Sequence, residues 1–296
     1  MSDQQQQAQA FFKEHADQWQ EKSTDRVYSL IADRHRAVHQ TLGLYPKSSY
    51  FLDVGCGTGQ LAIEASDKGY LATGIDYAEE MIEVCRTNAK QQGSNARFEL
   101  SSIFDYSPQQ RFEVISAQGF IEYLALPELS DFFGFLRRHL EPGGSVAIGS
   151  RNRLFNLFSL NEFTRLEVDL GNYECLLRES MVVREAGSQE QLIQQLLELY
   201  RNQDVPLPAD HKFTGIDVST RHQFSPGDLI ARFDREGFAA KRVFPVHFHA
   251  FVPQDNFHPD LLEMRKNIAN AISIQFQDSY QLLQQSSSFV VEARLK

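Results

Sequence analysis

The stretch Phe51–Gly59, FLDVGCGTG, decides how this chain folds. A short apolar run ending at Val54 breaks into three glycines at alternate positions, Gly55, Gly57 and Gly59, and the helical stretch QLAIEASDKG follows at once. Glycines let the backbone turn tightly and let a ligand approach it, while the first free N–H groups of the next helix favour a negative group. Two acids frame the loop. Asp53 precedes the glycines, and Asp76 closes the next apolar run, YLATGID. A carboxylate at the end of a second strand can accept hydrogen bonds from both hydroxyls of a ribose, which points to a nucleoside cofactor. A dinucleotide loop wants its third glycine where this chain has Gln60, so a pyrophosphate, and with it a nicotinamide-dependent oxidoreductase, is disfavoured.

Working outward from the loop, Ser49 to Asn152 alternates apolar runs with helical stretches. ARFELSS, FEVISAQ and SVAIGS continue the series begun by SYFLDVG and YLATGID. Five strands alternating with helices are the signature of right-handed βαβ units and a parallel sheet. Gly69, Gly93 and the Gly143–Gly144 pair fall where helices should stop, and Pro142 cannot continue one. After Leu154 the rhythm fails, and residues 154–220 read as a mainly helical insertion or lid after strand 5, with a loop containing Pro206 and Pro208. A helix at SPGDLIARFDREG, a strand at AAKRVFPVHFHAF, a long helix from about Pro259 to Gln285 and a strand at SSFVVEARL complete the pattern. The expected architecture is α/β, a doubly wound Rossmann-like seven-stranded sheet. It occupies residues 47–296, behind an N-terminal helical lead-in over residues 1–46 in which Phe11, Phe12, Trp19, Tyr28, Ile31 and Leu42 recur in a charged background. The first ten residues, MSDQQQQAQA, read as a frayed polar tail with no secretory signal.

Composition narrows the function. The 296 residues carry 29 Lys plus Arg against 39 Asp plus Glu, a formal charge of −10, the wrong sign for gripping a nucleic acid backbone. No apolar run approaches the roughly 18 residues of a membrane span. Three cysteines, Cys56, Cys85 and Cys175, without a C-x-x-C pair argue against a disulfide framework and a thiolate zinc site, and fit a cytoplasmic protein.

These residues resemble the class I S-adenosylmethionine-dependent methyltransferases. The likeness rests on DVGCGTG (Asp53–Gly59), GIDYAEEMIEVCR (Gly74–Arg86), FEVISAQGFIEYL and LEPGGSVAIGSRN, about a hundred residues in the right order. It implies S-adenosyl-L-methionine as cofactor and S-adenosyl-L-homocysteine as product. The amides of Gly55, Cys56, Gly57 and Gly59 and the carboxylate of Asp53 would surround the methionine end. Asp76 would take the ribose hydroxyls, with Tyr77 and Met81 flanking the adenine. Where the family usually has an acid after the third strand this chain has Ser102 and Ile103, so Ser102 is the expected contact to the base and Asp105 lies further along. Tyr28, with Trp19, matches an aromatic pattern that the family lays across its cofactor, or simply packs.

A sulfonium methyl is already activated, so the enzyme mainly aligns acceptor, methyl and sulfur, which supplies roughly 7 to 11 kcal/mol. A hydroxyl acceptor gains from a base, and His222, in TRHQFSPGDL, is the candidate imidazole; it is otherwise a loop histidine bonding backbone. Gln118, Glu122 and Tyr123 follow the fourth strand, at the edge where open α/β sheets bind ligands. Glu122 and Tyr123 join His222 as catalytic candidates and Gln118 sits by the cofactor. His247 and His249 alternate on one strand, with no third ligand to make a metal site, and none is expected. RNRLFNLFSLNEFT followed by RHQFSP resembles methyltransferases of surface-glycan and secondary-metabolite pathways, which implies an oxygen of a small molecule or sugar as acceptor. A quinone or natural-product O- or N-methyltransferase is the alternative, and a non-catalytic cofactor-binding module is remote. The absence of any Pro-Pro pair argues against methylation of a flipped nucleic acid base. A monomer or homodimer is expected.

Overall fold

Alternating burial builds the sheet. A computed structural model describes residues 3–14, 29–203, 221–252, 259–276 and 279–296. The strands are β1 (Tyr50–Val54), β2 (Leu71–Asp76), β3 (Arg97–Leu100), β4 (Phe112–Gln118), β5 (Leu140–Arg151), β6 (Phe238–Phe248) and β7 (Ser286–Leu295). Successive side chains of a strand point to opposite faces. Leu52 and Ile115 accordingly enter one apolar core, and their neighbours Phe51 and Val114 enter another. A sheet fed by two cores must be covered on both sides, which is why its central strands read as continuous apolar runs.

The order is β3-β2-β1-β4-β5-β7-β6. The first five strands in that order run parallel, and β7 lies antiparallel between β5 and β6. The chain leaves β1 toward β2 and β3, then crosses back to β4 on the other side of β1. The two connections diverge there and open a crevice at the carboxyl ends of β1 and β4. In register, Val54 lies beside Ile75 and Ala117, and Gln118 beside Gly149, so the segments after β1, β2, β4 and β5 gather at one edge.

One face is covered by α2 (Ser29–Leu42), α3 (Gln60–Asp67) and α4 (Glu79–Gln92), through Val38, Leu61 and Ile82. The other is covered by α5 (Leu126–His139), through Phe132 and Leu136. The region after β5 forms α6 (Arg153–Phe158), α7 (Glu162–Asp169), α8 (Tyr173–Glu185) and α9 (Gln189–Tyr200), followed by α10 (Pro226–Arg235). Leu176 and Val183 of α8, Leu192 and Leu196 of α9 and Leu229 of α10 join the same core as Leu52, so these helices are fused to the sheet. Their polar seam is buried. Arg153 and Glu167, each 1% exposed, make a bidentate pair, with Nε to Oε1 at 3.0 Å and Nη2 to Oε2 at 2.5 Å. Tyr200 donates to Glu179 at 2.5 Å, and Glu179 also accepts the Gly227 amide at 2.8 Å, tying α8 and α9 to the start of α10.

Two expectations change. The polar start is not frayed, since Asp3–Glu14 forms a helix, α1, with Gln4 buried. The long helix expected to reach Gln285 ends earlier: α11 spans Pro259–Gln275, and Tyr280–Gln285 is a separate 3-10 turn. Trp19, Tyr28, Pro206 and Pro208 lie outside the described residues. Among the described residues no helix is long and apolar enough to cross a membrane.

Candidate active site

The glycine loop closes on itself before it can hold anything else. The amides of Gly55 and Cys56 both donate to the Ile75 carbonyl, at 2.9 and 3.0 Å, so the turn after β1 is fixed to the end of β2. Gly59 has φ +81°, and a Cβ there would lie 2.8 Å from the Phe98 ring and 2.9 Å from Cys85 Sγ, so glycine is required for packing. Gly57 is different. At φ +52° a Cβ would meet nothing within 4 Å, so its backbone borders open space. The alternation of glycines thus has two physical causes, close packing at one position and an exposed left-handed turn facing the cleft at the other.

Asp76 stands next to that opening. Its two carboxylate oxygens accept the amides of Gly57 at 3.1 Å and Ala78 at 3.0 Å. Each oxygen keeps a further lone pair, the requirement for receiving a diol. Burial pushes its carboxyl up to about 6 against the backbone amides, which pull it down. Asp53, 4% exposed, has no such set of amides, and burial pushes it up to about 8 although Ser116 hydrogen-bonds to it. Gln118 lines the cleft and donates to the Ala147 carbonyl at 2.8 Å, while its buried Oε1 lies against Gly149.

The cleft brings together most of the residues expected from sequence. Asp53, Gly55, Cys56, Gly57, Asp76 and Tyr77 form its floor. Met81, Ser102, Ile103, Gln118, Glu122 and Tyr123 form its sides. Gly59 lies below the floor, against Phe98, and Asp105 is exposed beyond it. His222 is buried beside the cleft, off its wall, with its amide donating to the Glu122 carbonyl at 2.7 Å. His247 and His249 lie elsewhere. His247 meets Ser287 at 2.9 Å, His249 stacks on Phe155 with ring centres 4.7 Å apart, and burial pushes both down, to about 4 and about 3. Among the described residues no group of three His, Cys, Asp or Glu could hold a metal.

Two contributions were not read from the sequence. The glutamines of α1 latch it across the cleft: Gln4 donates to the Tyr123 carbonyl at 3.1 Å, Gln5 to Glu128 at 3.0 Å and Gln9 to the Tyr77 carbonyl at 2.8 Å. Phe12 of the same helix packs on Ala78 and Met81 and meets the Tyr123 ring edge-on at 5.3 Å. A polar run has no periodic apolar face, so only the partners reveal it. The second contribution is Arg34, from α2, and Arg221, from the segment before α10; both reach the same wall as Glu122.

The donor set fits the nucleoside cofactor expected from the sequence: an open backbone at Gly57 and an acid with spare lone pairs at the end of β2. A crevice of this kind at the switch point of such a sheet is where open α/β folds bind their ligands. Residues 51–144 match the family model described as a methyltransferase domain. Ubiquinone biosynthesis O-methyltransferase from Vibrio atlanticus is 31% identical over 123 residues, 41% of this chain and 50% of that protein. The protein of the same description from Coxiella burnetii is 29% identical over 113 residues, 38% of this chain and 47% of that one. The chain thus spans about half the length of these curated relatives. Among solved structures, magnesium protoporphyrin IX methyltransferase from Synechocystis, with bound S-adenosylhomocysteine, aligns with a TM-score of 0.57 at 13% identity, over 99% of this chain and all of that one. The 1,6-didemethyltoxoflavin-N1-methyltransferase of Burkholderia thailandensis aligns with a TM-score of 0.57 at 13% identity, over 98% of this chain and 87% of that one. At such identities the likeness is one of fold.

Proposed function

We propose that this chain transfers the methyl group of S-adenosylmethionine to an oxygen of a small molecule or sugar by in-line displacement. The observation that carries the reading is the pairing of an open backbone at Gly57 with Asp76, whose carboxylate retains acceptor capacity toward the same cleft. The cofactor supplies a methyl already activated on a sulfonium, so the protein's task is to hold and orient. Asp76 would take the ribose hydroxyls, Asp53 and the loop amides would hold the methionine end, Met81 and Tyr77 would flank the adenine, and Ser102 with Ile103 would line its edge. Tyr123 reaches the wall on the acceptor side, where burial pushes its phenol up and keeps it protonated, as a donor and not a base. Glu122 is engaged by the Arg151 amide at 2.8 Å and orients that wall, while His222, behind it, acts as a positioning residue through its link to the Glu122 backbone. A quinone-like acceptor is the second reading, favoured by the aromatic side of the cleft formed by Phe12, Phe104, Phe120 and Tyr123 and by the name of the Vibrio relative.

The test is transfer of labelled methyl from S-adenosylmethionine into a fractionated cell extract. Label is expected in a small-molecule or glycan fraction. Bound cofactor with no label in any fraction would sink the reading in favour of a non-catalytic module.

Proton linkage offers a separate check. Burial raises Asp53 from an ordinary 3.8 to about 8, so the folded, ligand-free chain holds a proton there at pH 7 that the unfolded chain has released. Asp53 therefore favours folding below its ordinary value, and that contribution is lost as pH rises from about 4 to about 8. A cofactor ammonium beside Asp53 reverses the preference and expels the proton. Calorimetry at pH 7 in buffers of different ionisation heat is expected to show nearly one proton released on cofactor binding, and none in Asp53→Asn. Heats independent of the buffer in the wild-type chain would refute the assignment.

A further inference from the structure

The arginines of the cleft gather at one end, around Glu122, and the acids of the nucleotide loop stand at the other. Asp53 and Asp76 stand at the ends of β1 and β2, whereas Glu122 follows β4 and Arg151 ends β5, two and three strands away from Asp76, with Arg221 beside them. This separation follows from the fold. Arg151 is the last residue of β5, and the segment from Arg221 to Phe224 runs beside Arg151 and Asn152, with Phe224 accepting the Arg153 amide at 3.0 Å. Glu122, in the turn after β4, faces both.

Three guanidiniums surround that single carboxylate, each at longer range than a closed ion pair. Arg221 approaches Glu122 Oε2 at 3.4 Å through both Nε and Nη2, Arg151 Nε at 3.8 Å, and Arg34 Nη2 approaches Oε1 at 3.9 Å. Charge-assisted bonds between such groups close to about 2.7–2.9 Å when they are made. The same chain shows the contrast, because Arg153 and Glu167 form a closed fork at 2.5 and 3.0 Å. Arg221 is 3% exposed, lines the cleft, and its Nη1 has no hydrogen-bond partner. A buried guanidinium N–H left without an acceptor is costly, and the cost is relieved when an acceptor enters. The Arg221 guanidinium also lies over the Tyr123 ring, 5.4 Å from its centre, so it borders the place where the acceptor must sit.

We propose that the methyl acceptor carries an oxyanion, a carboxylate or a phosphate ester, and that Arg221 and Arg151 hold it beside Tyr123. Guanidinium forks match both groups, and the local excess of positive charge over Glu122 alone is what such a group would neutralise. Arg151 is partly exposed and closes on the anion from the cleft mouth, while Arg221 supplies the buried half of the clamp. The proposal rests on the methyl-transfer reading above and adds the acceptor's chemical class to it.

The experiment uses the full chain saturated with S-adenosylhomocysteine and titrates it by calorimetry with benzoate, phenyl phosphate and benzyl alcohol. At least one anionic probe is expected to bind on the order of tenfold or more tighter than the alcohol, and the tighter of the two names the group. Arg151→Gln, a change at a partly exposed side chain, should weaken that probe on the order of tenfold while leaving the affinity for S-adenosylhomocysteine within about a factor of two. Arg221→Gln should do the same if it folds. Equal binding of charged and neutral probes, no binding of either anion, or an Arg151→Gln chain that binds the anion as well as wild type, would overturn the oxyanion site. Failure to bind S-adenosylhomocysteine at all would instead overturn the methyl-transfer reading.

Discussion

Asp76→Ala is expected to weaken binding of S-adenosylhomocysteine by about 10²- to 10⁴-fold, the loss of two hydrogen bonds to a charged acceptor at roughly 1.5–3 kcal/mol each. The variant also removes the partner of the Gly57 and Ala78 amides, so the loop that borders the ligand loses its fixed position. Asp76→Asn separates the two effects. Its side-chain oxygen can still accept one amide, but the charge and half of the acceptor capacity are gone, so it should fall between wild type and alanine. The pH profile follows from the same group. With its carboxyl raised to about 6, Asp76 becomes a protonated acid as pH falls through that value, and affinity for a diol should decline below it and level off above it. Calorimetry across pH 5 to 8 measures all three chains. An affinity unchanged in Asp76→Ala would remove Asp76 from the cofactor site and take the proposed function with it.

The largest expected effect on stability is at Glu167. Glu167→Ala leaves Arg153 buried, 1% exposed, without the carboxylate that holds Nε and Nη2. Breaking one side of a buried pair in this way typically costs about 3–5 kcal/mol, because the remaining buried charge loses the carboxylate that compensated its desolvation. Asn156 and Asn172, which donate to the same carboxylate at 3.4 and 3.3 Å, lose it too. For a chain of this size the midpoint of thermal unfolding should fall on the order of 10 °C. The double change Arg153→Met with Glu167→Leu should recover much of the loss, since two apolar side chains of similar volume carry no desolvation penalty. Thermal melts of the three chains decide the matter. A single variant as stable as wild type would mean that α6 and α7 do not depend on this pair.

The glycine loop and the acids were legible in the sequence because each is a local requirement. A strand feeding a helix through an open left-handed turn needs glycine at Gly57 whatever the rest of the chain does, and Asp76 is fixed two strands' length away by the βαβ unit. The boundaries of β4 were legible for the same reason, as an apolar run covered on both faces. The N-terminal glutamines were not, since Gln4 and Gln9 bond backbone carbonyls at Tyr123 and Tyr77, and a carbonyl leaves no trace in sequence.

His222 shows where sequence reading gives way. Its segment stood out, but the local pattern could not say which of two neighbouring side chains faces the cleft. The extended backbone running beside Arg151 and Asn152 turns Arg221 to the wall and seats His222 behind it, because successive side chains of an extended segment point to opposite sides. Arg34 likewise has an ordinary place on an amphipathic helix and becomes part of the site only because α2 packs across the ends of the strands. The sequence by itself thus determined the sheet, its loop and the acid at the end of β2, all of them consequences of short-range backbone geometry and burial. The wall where Glu122 meets arginines from α2, β5 and the segment before α10 was decided only by tertiary structure, because electrostatic contacts act through space between residues roughly 30 to 100 positions apart and follow no period along the chain.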